Sequence, residues 1–159
     1  MKSQASPISL PSAEPQAKGL TIMKELDIEA LVDNLPEVLA FVDKQLEAAD
    51  CSMKIQMQID LAVEEIFVNI ANYAYDPETG PATLRVEVKP DGSAVIITFI
   101  DHGIPYDPLA KADPDITLGI EQREIGGLGI FLVKKNMDDI RYEYLNGSNI
   151  LTIIKRLSS

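Results

Sequence analysis

Three short segments of this chain carry residue types suited to holding a nucleotide. They are Glu65–Asn69, Asp101–Pro108 and Gly126–Phe131, in that order along the sequence. The first places a carboxylate and an amide four residues apart, which puts both on one face of a helix. The second places an acid and a glycine where an apolar strand ends, and the third is a glycine-rich turn before a helix. Each segment alone is weakly specific, but their order and context together indicate one nucleotide site.

The first segment belongs to a predicted helix whose polar stripe can hold a cation. Glu65, Asn69 and Asn72 follow at intervals of four and three, so they share a stripe beside the apolar face formed by Ile66 and Ile70. A carboxylate and amides in such a place can ligate a hard divalent cation and orient a hydroxyl group or water. A solvated polar face is the alternative, and these residues alone leave it open.

The second segment is suited to binding a flat heterocycle. Asp101 follows an apolar run, and Gly103 comes two residues later. A carboxylate at a strand end can accept a hydrogen bond from an exocyclic amine, and a neighbouring glycine lets a flat ring approach the backbone. A turn also explains these residue types, but it does not explain the preceding strand or the glycines that follow.

The third segment places Gly126, Gly127 and Gly129 before a predicted helix. Backbone N–H groups at a helix start can bind phosphate. The segment lacks the Lys-Ser/Thr ending of a P-loop and the GxGxxG spacing of a βαβ unit, so neither common nucleotide motif is met. A flexible connection is the alternative. The only histidine, His102, has no nearby Cys or second His and is a poor candidate for a transition-metal ligand.

Hydrophobic periodicity predicts the elements that position these segments. Asn34 with Glu37 predicts a capping box, and Ser52 is the predicted N-cap of the second helix. Asp91-Gly92 and Asn146-Gly147 predict tight hairpin turns. The order β-α-α-β-β-α-β-β favours an α+β fold, a two-layer α/β sandwich with a mixed, mainly antiparallel sheet and helices on one face. The predicted strands cover residues 20–26, 83–89, 94–100, 140–145 and 150–157, and the predicted helices cover 34–50, 52–75 and 127–137.

Length and composition fit one globular domain. The chain has 159 residues, enough for a substantial core. Residues 1–19 are rich in Ser, Pro, Gln and Ala and predict a disordered tail, so the domain covers residues 20–159. The polar stretch over residues 109–124 has little periodicity and predicts a functional lid.

Charge and cysteine content narrow the possible partners and the compartment. The net charge of -11 disfavours nucleic acid, and any ATP site would need local positive potential from helix N-termini, backbone N–H groups and a divalent cation. No apolar run is long enough for a bilayer, and no secretion signal is evident. The single cysteine, Cys51, fits a reducing cytoplasm.

The three segments together resemble the N box and the two glycine boxes of the GHKL ATPase superfamily, which carries the Bergerat ATP-binding fold of DNA gyrase, histidine kinases and MutL. The resemblance covers Ala30–Arg156. Within the superfamily, the short domain and the sequences of Asp101–Pro108 and Gly126–Asp138 are most similar to those of the anti-sigma-factor serine/threonine kinases.

This resemblance implies a role for each matched position. Glu65 would be the general base or would orient the attacking hydroxyl group, and Asn69 would ligate Mg²⁺. Asp101 would bind the adenine amino group, with Gly103 beneath the ring. Thr152 would support the adenine through water, and residues 109–124 would be the ATP lid. The implied nucleotide-binding set is Asn69, Asn72, Asp101, Gly103, Ile104, Gly126, Gly127, Leu128, Gly129 and Thr152.

The resemblance also implies a function and partners. Such a kinase uses ATP and Mg²⁺ to phosphorylate a serine on an anti-anti-sigma (STAS-type) protein and sequesters a sigma factor, often as a homodimer in the cytoplasm. It contacts neither nucleic acid directly nor a membrane. The chain departs from the family at Tyr73, where members commonly have His. A non-catalytic ATP-binding regulatory module is the main alternative, and a detached histidine-kinase domain is disfavoured because no dimerising helix carries a phospho-acceptor histidine.

Overall fold

The computed structural model describes residues 22–110 and 127–157, and within these ranges the elements follow the predicted order. The tail predicted over 1–19, most of the lid predicted over 109–124, and Gly126 lie outside the described residues. A π-helical turn, Ile70–Ala74, extends the second helix. The strands are β1 (Ile22–Glu29), β2 (Pro81–Val88), β3 (Ala94–Asp101), β4 (Asp139–Leu145) and β5 (Ser148–Arg156), and the helices are α1 (Leu35–Ala48), α2 (Met53–Asn69) and α3 (Gly127–Asn136).

The five strands form one sheet in the order β1-β2-β3-β5-β4. All four pairings between neighbours are antiparallel. This confirms an α+β fold with a mainly antiparallel sheet, but no parallel pair occurs among the described strands, so the predicted mixed character is wrong for them. The reason is that α3 carries the chain to the outer edge of the sheet, and the β4–β5 hairpin then returns β5 antiparallel to β3.

Two tight turns set the register of the hairpins. Gly92 in the β2–β3 connection has a φ of 73°, and Asp91 Oδ1 accepts a hydrogen bond of 2.9 Å from the Ser93 N–H. In the β4–β5 connection, Asn146 and Gly147 both have positive φ, at 51° and 80°. Asn and Gly tolerate this left-handed backbone best, so both predicted turns are confirmed.

The helices cover one face of the sheet and bury a single apolar core. Along β2, β3 and β5 every second residue points into that core, as the pleat requires. Fully burying one such aliphatic or aromatic side chain stabilises the fold by roughly 1.5–3 kcal/mol. The largest buried side chains from both layers are Val38, Val42, Leu46, Ile59, Val63, Phe67, Leu84, Val86, Val95, Ile97, Phe99 and Ile153.

The starts of α1 and α2 are fixed in different ways. Ser52 caps α2 as the sequence predicts, because its Oγ accepts a hydrogen bond of 3.2 Å from the Ile55 N–H. The predicted capping box of α1 is wrong, since the Asn34 side chain caps no helical N–H. Its amide donates instead to the Glu29 carbonyl at 3.0 Å, which ties the end of β1 to the start of α1.

Two carboxyl groups meet where α1 packs on α2. Asp43 Oδ1 and Asp60 Oδ1 are both buried, and no donor among the described residues reaches either atom. Desolvation is the main cause that raises the pKa of Asp60 from 3.8 to about 7, with further contributions from Asp43 and from the charge of Glu47. A proton on Asp60 therefore supplies the missing donor between the two groups, and ionisation at higher pH leaves two carboxylates facing each other.

Replacing Asp60 by Asn should alter the dependence of stability on pH. Because the pKa of Asp60 is raised on folding, wild-type stability falls as pH rises from 3.8 to about 7. Asp60→Asn keeps a donor at every pH, so we expect a gain of roughly 1 kcal/mol above the upper pKa, a value reduced for the solvent exposure of the pair. Urea unfolding at several pH values measures this.

Glu64→Gln is the matched control, because Glu64 is an exposed acid on the same helix. This control should leave the shape of the pH profile unchanged. An Asp60→Asn profile with the same fall between acidic and neutral pH as the wild type would contradict the account of the carboxyl pair.

Candidate nucleotide site

A cleft opens between the C-terminal end of α2 and the edge of the sheet where β3 ends and β5 begins. Its floor is apolar and is formed by Phe99, Ile130 and Leu151. One wall is the last turn of α2 with the π-helical turn, and the opposite wall is the loop after β3. Few polar side chains enter it. They are Asn69, Tyr73, Asp101, Tyr106, Tyr142 and Asn149.

Asp101 is a buried carboxylate at the deep end of this cleft. It is the last residue of β3 and is 5% exposed. Its Oδ1 accepts hydrogen bonds of 2.9 Å from the Gly103 N–H and from Asn149 Nδ2. Among the described residues none donates to Oδ2, so this oxygen can accept a hydrogen bond from a ligand. Burial of a carboxylate is tolerable only with such partners, so the sequence prediction that Asp101 lies at a binding site fits its surroundings.

Asn149 holds the cleft together, and sequence reasoning missed it. It lies directly opposite Asp101 in the β3–β5 register. Its amide also donates to the Ile104 carbonyl at 2.9 Å, and its Oδ1 accepts from the Tyr106 N–H at 3.1 Å and from the Tyr142 hydroxyl. A single buried side chain thus fixes the acid, the loop after β3 and the neighbouring strand β4.

Thr152 does not occupy the position that the resemblance implied. In β5 the side chains of Asn149, Leu151 and Ile153 alternate towards the helices and are buried, whereas Thr152 lies on the opposite face of the sheet and pairs with Thr98 and Arg141. The phase of the strand therefore excludes Thr152 from the cleft and places Asn149 there. The alternation with Leu151 and Ile153 was the sequence signal that could have identified Asn149.

Gly103 serves a different purpose from the one predicted. A Cβ at this position would overlap the backbone carbonyl of Ala74, and the Ile104 N–H donates to the same carbonyl at 3.0 Å. The glycine therefore lets the loop after β3 pack against the end of the π-helical turn. Gly103 does not line the cleft, although Ile104 beside it does.

Tyr75 anchors this loop from the other side. Its hydroxyl donates to the Pro81 carbonyl at 2.6 Å and accepts from the His102 N–H at 2.8 Å. Burial is the main cause that raises the pKa of Tyr75, so the hydroxyl keeps the proton that it donates. Its ring also lies where a Cβ of Gly80 would be. The wall of the cleft is thus fixed before any ligand binds.

The polar stripe of α2 is only partly brought to the cleft. Asn69 lines it, one turn beyond Glu65, and Tyr73 follows a further turn along. Asn72 is exposed and does not line the cleft, although its spacing predicts the same stripe. The π-helical turn that follows Asn69 winds more widely than an α-helix. The prediction for Asn72 assumed an unbroken α-helical period, which this turn interrupts.

Glu65 lies beside the start of α3 rather than in the apolar part of the cleft. A Cβ at Gly129 would overlap the Glu65 carboxyl group, so the two helices touch there and only glycine leaves room for the acid. The N–H groups at the N-terminus of α3 supply positive potential at this point. Of the predicted glycine segment, Gly127 and Leu128 begin α3.

Together these features suit the binding of an adenine nucleotide. Apolar walls and one accepting carboxylate oxygen suit a purine that carries an amino group. The N-terminus of α3 suits phosphates. Its positive potential offsets the repulsion expected between the acidic surface of the protein and these phosphates. The described residues contain no cluster of three or more His, Cys, Asp or Glu that could hold a metal.

Comparison with known proteins places the chain in a family. Residues 28–155 match the histidine kinase-like ATPase domain, and the chain belongs to this family. The predicted superfamily is thereby confirmed. In the parts that the structure describes, no helix is both long and apolar enough to cross a membrane.

Individual relatives refine this assignment. The chain is 26% identical over 102 residues to the serine/threonine-protein kinase BtrW of Bordetella bronchiseptica, covering 64% of this chain and 71% of that protein. It is 28% identical over 95 residues to the serine-protein kinase RsbW of Bacillus cereus, covering 57% of this chain and 58% of that protein. The match therefore spans little more than half of the Bacillus relative.

A solved structure shows the same fold. The RsbU and RsbW domains of a Mycobacterium tuberculosis protein superpose with a TM-score of 0.58 and 19% identity. The superposition covers 86% of this chain and 33% of that one. The predicted Bergerat-type fold is confirmed by this likeness together with the family match.

Asn149→Ala should weaken ATP binding, because it removes the side chain that orients Asp101 and the loop after β3. Leaving their buried polar groups unpaired costs roughly 1–3 kcal/mol, so we expect about a 5- to 150-fold loss of affinity in calorimetric titration. Thr152→Ala is the control from the other face of β5 and should bind ATP normally. The reverse pattern would restore the original prediction for Thr152.

Gly129→Ala should lower ATP turnover without lowering the thermal stability of the protein. The added Cβ meets the flexible end of Glu65, so the carboxylate must move while the backbone stays in place. Alanine in a helix stabilises it by up to about 1 kcal/mol relative to glycine. We expect an unchanged or higher melting temperature together with a large loss of ATP turnover.

Gly103→Ala is the contrasting variant, because its Cβ meets the Ala74 backbone. It should lower the free energy of unfolding by about 1–3 kcal/mol. Unfolding of Gly129→Ala at a lower temperature than Gly103→Ala would contradict the assignment of these two contacts.

Proposed function

We propose that this protein is an ATP-dependent serine/threonine protein kinase. The observation that carries the proposal is the arrangement on α2, where Glu65 touches the first turn of α3 and Asn69 enters the cleft one turn later. This arrangement supports the proposal, because a terminal phosphate held at the start of α3 would lie beside the Glu65 carboxylate. The similarity to proteins named serine kinases supports the same function.

The adenine would bind in the apolar part of the cleft. Its amino group would donate to Asp101 Oδ2, and its ring would lie against the apolar floor that includes Phe99 and Leu151. The triphosphate would then extend along Asn69 towards Gly129 and the start of α3, where the helix N–H groups face it. The binding role of Gly126, Gly127 and Leu128 is part of this proposal.

Phosphoryl transfer would occur beside Glu65. The hydroxyl oxygen of a serine or threonine attacks the γ-phosphorus, the bond from that phosphorus to the β–γ bridging oxygen breaks, and ADP leaves with the bridging oxygen. Glu65 accepts the proton of the attacking hydroxyl. Positioning and stabilisation of charge supply most of the acceleration in such reactions.

A divalent cation fits the residues present. Asn69 offers an amide oxygen, and Mg²⁺ bound there with phosphate oxygens and water would neutralise the negative charge that ATP brings next to Glu65. Asn69 would hold Mg²⁺ at a fixed distance from the Glu65 carboxylate, because the two side chains lie on successive turns of one rigid helix.

The partners we propose are those that the family resemblance implies. The phosphorylated protein is a STAS-type anti-anti-sigma protein, and the kinase also sequesters a sigma factor. The names of the relatives support the kinase step directly, and the sigma factor follows from the resemblance.

Glu65→Gln should abolish phosphoryl transfer without loss of ATP binding. The amide keeps the shape of the side chain but cannot take a proton, so we expect a decrease of about 10²- to 10⁴-fold in the rate. The assay incubates the protein with γ-labelled ATP, Mg²⁺ and purified STAS-type proteins from the same organism, and calorimetry measures ATP affinity in parallel.

Glu143→Gln is the control, since this exposed acid lies on β4 in the phase opposite to Tyr142, which lines the cleft. It should transfer phosphate at the wild-type rate. If the wild type binds ATP but labels none of the proteins, the chain is a non-catalytic ATP-binding module. Equal rates for Glu65→Gln and the wild type would remove Glu65 as the base.

A further inference from the structure

The solvent side of α2 carries an exposed apolar strip that the nucleotide site does not use. Met53, Met57 and Leu61 are spaced four residues apart, and they are 71%, 60% and 61% exposed. The opposite side of the same helix is buried in the core through Ile59 and Val63. The strip therefore contributes nothing to the packing of the domain, although exposed apolar groups in a row favour association.

The strip leads directly to the proposed catalytic base. Continuing the four-residue spacing from Leu61 reaches Glu65, so the strip and the carboxylate form one line along α2. Leu61 is a single helical turn from Glu65, about 6 Å along the axis, and Met53 is about 18 Å away. A molecule lying on this strip therefore has one end beside the γ-phosphate position.

The neighbouring helix extends the strip sideways. α3 starts at Gly127, passes Glu65 at Gly129 and ends at Asn136, whose carbonyl accepts from Lys155 Nζ near the end of β5 that lies away from the cleft. α2 ends at the cleft, so the two helices are antiparallel. One turn along α3 from Gly129, Leu132 is 50% exposed. The register set by the Gly129–Glu65 contact places Leu132 at the same height as Leu61. Together Met53, Met57, Leu61 and Leu132 form what we call the α2–α3 strip.

The dimensions and chemistry of the strip identify the class of molecule that it fits. The strip spans about 12 Å from Met53 to Leu61, and a molecule that covers it and also reaches Glu65 is about 18 Å long. This length exceeds that of a small hydroxyl compound, so the occupant is a macromolecule. Methionine side chains are flexible and polarisable, and they adapt to a partner surface. Exposed Glu47 and Glu64 on the α1 side of the strip, with the net charge of -11, favour a partner whose apolar patch is bordered by basic residues.

We propose that the α2–α3 strip is the docking surface for the protein substrate, a protein that presents its serine or threonine beside an apolar patch with a basic border. The inference rests on the proposed kinase function and adds to it the surface that selects the substrate. Docking on α2 delivers the hydroxyl group to Glu65, because the strip and the base share one rigid helix. Binding energy from contacts away from the reacting group then positions the hydroxyl for transfer.

The test measures phosphorylation kinetics of the STAS-type protein that the wild type labels. Leu61→Gln and Met57→Gln should each raise the KM for the protein substrate by about tenfold, as expected for loss of an apolar contact at an interface, with the KM for ATP unchanged. Leu145→Gln and Met23→Gln are matched controls, because Leu145 and Met23 are similarly exposed, at 51% and 50%, and lie in strands away from α2. Both controls should keep wild-type kinetics.

A second variant tests the charge component. Glu64→Lys should raise the KM for the protein substrate, and the rise should shrink as salt concentration increases. Its ATP affinity should equal that of the wild type. Light scattering of all variants reports their oligomeric state in the same buffers.

Each outcome bears on a separate claim. Wild-type protein that binds ATP but phosphorylates no STAS-type protein overturns the kinase function and this inference together. Normal phosphorylation with an unchanged KM in Leu61→Gln and Met57→Gln overturns the docking surface and leaves the kinase function intact. A change in oligomeric state with unchanged KM also overturns it, since the strip would then join two copies of this chain.

Discussion

The hydrogen bond between Asp101 and Asn149 is the interaction on which the nucleotide site depends. A carboxylate in an apolar cleft is costly unless its oxygens have donors. The antiparallel register of β3 and β5 brings these two residues opposite each other, so one amide satisfies one carboxylate oxygen and leaves the other for a ligand. Because the same amide also holds the loop after β3 at Ile104, the shape and the polarity of the cleft are fixed together.

A single helix organises the remaining chemistry. Ser52 fixes the start of α2, the strip around Leu61 faces solvent, Glu65 meets α3 at Gly129, and Asn69 enters the cleft. These functions follow one another along a rigid axis, so the distances between them are set by helix geometry. The arrangement also explains how an acidic protein can bind an anionic nucleotide. The positive N-terminal end of α3 lies where Glu65 and the phosphates would otherwise repel each other.

Much of this arrangement was predictable from local sequence. The two hairpin turns and the Ser52 cap depend on neighbouring residues, and each was confirmed. The capping box at Asn34 failed although its pattern was present, because the nearby end of β1 offered the Asn34 amide a carbonyl acceptor. The prediction that Asn72 shares the stripe of Glu65 and Asn69 was wrong, because a π-helical turn interrupts the α-helical period. Hydrophobic periodicity does not predict such a turn.

The sequence by itself determined the order of the elements, the apolar faces that pack them and the three segments that mark an ATP-binding family, since each of these depends on local patterns. Only the tertiary structure decided that Asn149 rather than Thr152 faces the cleft, because a shift of one residue in a strand moves a side chain to the opposite face. It also decided the roles of Gly103 and Gly129. Both make room for a neighbour that is distant along the chain, and sequence spacing carries no record of such contacts.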